Sequence, residues 1–147
     1  MTSAFDQPSL RKVPHRPRRR AAVMAEFAII LPIFILAVIG IIEFGRAIMV
    51  QQILTNAARE GARRAIVQGA TNDEVTELVD NYLVSASLGA PSRQIGILDE
   101  DDGALDLEGA NSHDLIKVVV TIPANEIIPI GKYFQDTMGA VCQMRKE

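Results

Sequence analysis

The sequence predicts an α+β chain. A long N-terminal helix crosses a membrane and continues into a small extracytoplasmic domain with a second helix and a short antiparallel sheet. Three observations predict it. Residues 27–42, FAIILPIFILAVIGII, run without a charged side chain. Beyond Arg46, apolar residues recur at three- and four-residue steps, the period of an amphipathic helix. Towards the C-terminus the period falls to two, that of a strand with one covered face.

At 147 residues, the chain has room for one domain besides the apolar run. Its formal charge of −3 conceals two electrostatic units. Arg11, Lys12, Arg16, Arg18, Arg19 and Arg20 crowd the first twenty residues against one acid, Asp6, whereas acids outnumber cations in the remainder. A basic arm and an acidic body are most simply placed on opposite faces of a bilayer. The single cysteine, Cys142, rules out an internal disulfide, and with only His15 and His113 beside it there is no zinc spacing. Stability must come from a packed core and from the membrane.

The membrane segment is assigned to residues 22–46. Ala21–Ala25 extend the uncharged run upstream, interrupted only by Glu26, to about the twenty residues needed to cross ~30 Å of hydrocarbon. Pro32 and Gly40 lie within it, and both are tolerated in spanning helices. The positive-inside rule puts the N-terminus in the cytoplasm and the acidic body outside. A cleavable secretory signal would have a shorter core and end at small residues, but here the run continues into IIEFGRAIMVQQ.

Glu26 stands where lipid begins. It is either an interfacial acid paired with the neighbouring arginines or the partner of another buried charge, since acids within spans are costly and usually functional. The segment AAVMAEFAIILPIFILAVIGIIEFGRAIMVQQILTNAAREGARRAIV, residues 21–67, carries AEFAIILP, a second acid in IIEFGRA, and NAAREGAR. It resembles the TadE-like pilus assembly proteins, minor pseudopilins of the tight-adherence (Flp) pilus within the type IV pilin superfamily. The resemblance implies that residues 1–21 are a basic cytoplasmic leader removed by a prepilin peptidase between Ala21 and Ala22, with Glu26 and Phe27 as recognition residues. Ala21 stands where the family commonly has Gly. The new α-amine at Ala22, with a pKa of roughly 7.7–8.0, would then need a counter-charge, which Glu26 of the same or a neighbouring helix supplies. Residues 47–147 become the TadE-like extracytoplasmic domain. The implied partners are the lipid bilayer, the peptidase and other Tad pilin-like and assembly proteins.

Glu43 and Arg46 share a helical face, three residues apart. They read either as a membrane-exit marker paired within the chain or as an intersubunit pair. The helix should continue to about Val67. Val50, Leu54, Ala57, Gly61 and Ala65 form its apolar stripe, Gln52, Asn56, Arg59 and Arg63 a polar one, and Glu60 and Arg64 an i,i+4 pair. Ala57, Gly61 and Ala65 are small, which permits close packing against the chain's own sheet or against a neighbouring helix.

A break at Gly69 precedes a second helix, capped by Thr71 or Asn72, with Val75, Leu78, Val79, Tyr82 and Leu83 as its apolar face and Gly89-Ala90-Pro91 as its stop. LIKVVVTI places Ile116, Val118, Val120 and Ile122 on one side of a strand. TMGAVCQMR does the same with Met138, Ala140, Cys142 and Met144, and RQIGIL is a weaker third strand. The acidic run LDEDDGALDLEGANSHD fails the calcium-loop register, because Leu98 falls at the first ligand position and Gly109 at the last. It reads as a solvated, flexible loop, with weak cation binding the alternative.

No catalytic constellation, phosphate loop or cofactor motif is visible, and the basic arm lacks the interleaved aromatics of a nucleic-acid binder. The expected function is therefore structural rather than enzymatic, in assembly of a bacterial surface pilus, with no cofactor, metal, nucleic acid or small-molecule substrate. Two alternatives stand. One is a signal-anchored binding or sensing module that is neither cleaved nor assembled. The other is a membrane-bound enzyme with a pocket around Asp99–Asp114 and His113.

Overall fold

The computed structural model describes residues 18–89, 92–127 and 137–146. The chain divides into two compact units, Met1–Ile39 and Gly40–Glu147. In chain order the elements are α1 (Arg18–Ala65), α2 (Asn72–Ser85), β1 (Gln94–Leu98), β2 (Leu115–Pro123), the four-residue α3 (Ala124–Ile127) and β3 (Thr137–Arg145). The class is α+β, with a long apolar N-terminal helix, a second helix and a three-stranded antiparallel sheet in the order β1-β2-β3. The short α3 has no signature in the sequence, because four residues are too few to show a period.

In the first unit the described residues are all helical, and Pro32 is accommodated without ending α1. Proline has no N–H, so the carbonyl of Ala28 loses its usual i+4 donor. Among the described residues, no side chain from Ala21 to Ile39 is covered by the rest of the chain. Met24, Phe27, Ile29, Ile33, Phe34 and Leu36, spread round the helix, are at least 60% exposed. A helix apolar all round is stable in water only when buried, so this one needs lipid or other helices around it. α1 is long and apolar enough to cross a membrane.

In the second unit the end of α1 packs with α2 onto one face of the sheet. Val50, Leu54, Ala57, Ala58, Ala62 and Ala65 of α1 are buried, as are Val75, Val79 and Leu83 of α2. Ile116, Val118, Val120 and Ile122 of β2 are fully covered between them, while Lys117, Val119 and Thr121 of the opposite face are only half-buried. This is the alternation expected for LIKVVVTI. The weak candidate RQIGIL does form a strand: Ile97 pairs with Val118 and Ile95 with Val120. On the other side, Val118 pairs with Cys142 and Val120 with Ala140. Cys142 is a half-buried free thiol on the inner side of β3.

The connections differ from the expected ones in three places. α1 stops at Ala65; the Val67 N–H then turns back to the Arg64 carbonyl, and Gly69 takes a φ of +78° that suits only glycine without strain. α2 ends earlier than Gly89. The N–H of Leu88 reaches the carbonyl of Leu83 at 2.8 Å and that of Ser87 reaches Val84 at 3.0 Å, with Ser87 at φ +61°. That bond pair is a Schellman closure with serine in the left-handed position. Ala90 and Pro91 lie outside the described residues.

The third difference is the acidic segment, which is anchored rather than loose. Leu107 is 1% exposed within the core. Thr71 caps α2 by accepting from the Glu74 N–H, which frees Asn72 for a different task. Its amide donates to the Leu105 carbonyl at 2.8 Å and accepts from the Leu107 N–H at 3.0 Å. Asp99 closes the preceding turn by accepting from the N–H groups of Asp101 and Gly103.

Candidate functional site

The residues expected at the processing junction lie near the start of α1. The helix already runs through Arg18–Arg20, so the Ala21–Ala22 peptide bond sits within a regular turn. Ala21, Ala22, Glu26 and Phe27 are all exposed, Phe27 at 60%. Among the described residues, Glu26 takes part in none of the ion pairs. It is one acid in a sheath of uncovered apolar side chains, free to meet a charge from another molecule.

At the other end of the apolar run, Glu43 and Arg46 are not paired with each other. Glu43 lies in line with the stripe that buries the end of α1 (positions 43, 47, 50, 54, 57, 61 and 65), and it is half-buried while Ile42, Phe44 and Arg46 are exposed. Its Oε2 is covered and has no hydrogen-bond partner among the described residues. Arg46 is rotated off that stripe towards solvent.

The small residues of α1 are used inside the second unit. Ala57 and Ala65 are fully buried. A Cβ built on Gly61 would stand 2.6 Å from Val79 Cγ2 and 3.1 Å from Val118 Cγ1. The glycine therefore lets α1 approach α2 and β2 of its own chain. Nearby, the expected Glu60–Arg64 pair is replaced by Arg64–Glu74 at 2.6 Å, joining the end of α1 to the start of α2. No local spacing could announce that pair, because its members are ten residues apart on different helices.

Residues 21–63 match the family model described as TadE-like protein. The chain carries a TadE-like segment. That segment takes in the apolar run, Glu26, Glu43, Arg46 and the small-residue stripe as far as Ala62, and it ends before α2 and the sheet. No curated protein and no solved structure matches the chain.

Outside the TadE-like segment the polar groups are mostly engaged in holding loops. Lys117 pairs with Asp102 at 2.8 Å and donates to the Glu100 carbonyl. Lys146 donates to the carbonyls of Leu107 and Ala110. Arg93 pairs with Asp80, a hydrogen bond that raises the guanidinium pKa above its usual value against a smaller lowering by burial. His113 is exposed, and its backbone N–H meets the Lys146 carbonyl. Among the described residues, no three His, Cys, Asp or Glu side chains gather where they could hold a metal ion.

Proposed function

We propose that this chain is a pilin-like structural protein of Tad pilus assembly, processed at its N-terminus and held in the membrane by α1. The TadE-like family suggests the role in Tad pilus assembly, and the apolar helix near the N-terminus supports a single-pass membrane protein. The carrying observation is the condition of Glu26, an ionisable side chain that has no ion-pair partner among the described residues and stands beside exposed Val23, Met24, Phe27 and Ile30. In lipid such a group needs a partner.

On this reading the basic arm stays in the cytoplasm, and a prepilin peptidase removes residues 1–21. The α-amine of Ala22 then becomes the charge that Glu26 of a neighbouring subunit neutralises. Phe27 belongs to the peptidase signal. Residues 47–147 lie outside the membrane as a folded body that other pilin-like or assembly proteins meet. No step of this function requires catalysis by the chain itself.

Intact mass and N-terminal sequencing of the protein from its native membrane test the reading. A chain beginning at Ala22 is expected. A chain that retains residues 1–21 in the assembled state overturns it and leaves a tethered extracytoplasmic module.

A further inference from the structure

Glu43 and Arg46 leave one acid and one base unsatisfied on the same helix. Among the described residues, Oε2 of Glu43 is buried without a hydrogen-bond partner, and Arg46 is exposed and joins none of the ion pairs. Both stand where the lipid-type surface gives out, beside Ile41, Ile42 and Phe44, each at least 63% exposed. Water is scarce at such a level, so an unpartnered carboxylate oxygen there is costly. The remedy within the chain, an i,i+3 pair, is not made among the described residues: Glu43 is half-buried in line with the domain-facing stripe, and Arg46 is exposed.

We propose that Arg46 of one copy pairs with Glu43 of a second copy of this chain, displaced along the helix axis by about one turn. The charges are self-complementary, since each copy offers one acid and one base. The contact is heterologous, so it repeats along a row of copies instead of closing a dimer. The displacement has independent support, which rests on the proposed processing at Ala22. Bringing the Ala22 amine of one copy level with Glu26 of the next requires a shift of four residues, about 6 Å at 1.5 Å per residue. The same shift puts Glu43 of the first copy within about 1.5 Å, one residue, of the level of Arg46 in the next. One stagger therefore meets both pairs, with Glu26 and Arg46 supplied by one copy and the amine and Glu43 by the other.

The test uses full-length chains produced in pairs with two different tags, solubilised in mild detergent, and scored by co-purification of one tag with the other. Glu43→Arg chains alone and Arg46→Glu chains alone are expected to co-purify about tenfold less than wild type, since each has lost a partner of every charge pair. Glu43→Arg chains produced together with Arg46→Glu chains should return to within about twofold of wild type, because the first retains Arg46 and the second retains Glu43. No pairing within one chain can produce that rescue. A mixture as defective as its parents, or single variants that co-purify normally, overturns the proposal. Unchanged thermal unfolding of the variants excludes misfolding as the cause of a loss. N-terminal sequencing of the same material separates the two readings. Rescue in chains that keep residues 1–21 sinks the processing reading alone, and absent rescue in chains starting at Ala22 sinks this pair alone.

Discussion

Gly61 of α1 and Val79 of α2 touch so closely that no side chain fits between them: a Cβ at position 61 would lie 2.6 Å from Val79 Cγ2. Elsewhere in a helix, Gly→Ala gains about 1 kcal/mol from propensity. Here the methyl group must displace a valine whose χ1 is fixed by its helix, and overpacking costs about 1–3 kcal/mol. Gly61→Ala is therefore expected to destabilise the second unit by about 1 kcal/mol net. The double variant Gly61→Ala, Val79→Ala should recover part of the packing loss of Val79→Ala alone. Thermal unfolding followed by circular dichroism checks both; a Gly61→Ala protein more stable than wild type contradicts the contact.

Ser87 occupies the left-handed position that closes α2. A residue with a Cβ is strained there by about 1 kcal/mol, and glycine is not. Ser87→Gly should stabilise the protein by about 0.5–1 kcal/mol, while Gly89→Ala, at a position without a positive φ, should change little. The reverse order in denaturant midpoints would place the helix stop at Gly89 after all.

Asn72 clamps the acidic segment through two hydrogen bonds to the backbone of Leu105 and Leu107. Asn72→Ala should cost about 1–2 kcal/mol and speed amide exchange at Leu107 and its neighbours more than in the strands. Asn72→Asp keeps the acceptor for the Leu107 N–H and loses the donor, so its loss should be smaller. Uniform exchange changes across the whole unit would count against a local clamp.

Glu26 lies in the first unit with no ion-pair partner among the described residues. Glu26→Gln should leave the unfolding transition of the second unit unchanged, within about 0.5 kcal/mol. The defect is expected in assembly, scored as surface pili. Normal pili with the glutamine variant would remove the role proposed for that carboxylate.

Local patterning made much of this legible. An uncharged run of spanning length, a 3.6-residue stripe through Val50, Leu54 and Ala57, and alternation through Ile116, Val118, Val120 and Ile122 each reflect burial of one face, and burial is written into which residues are apolar. Sequence alone therefore determined the α+β class, the apolar helix, the inner faces of β2 and β3, and the position of Glu26 at the start of the run. What it left open were choices between alternative partners. Only the packed structure decided that Arg64 meets Glu74 and not Glu60, that Thr71 caps while Asn72 holds the acidic segment, that Ser87 rather than Gly89 closes α2, and that Gly61 serves α2 and β2 of its own chain. It also decided that Glu43 turns in line with the buried stripe and leaves Arg46 outside. Such choices depend on which groups are brought within hydrogen-bonding reach when helices and sheet close on one another, and that proximity is a property of the packed chain that no local period encodes.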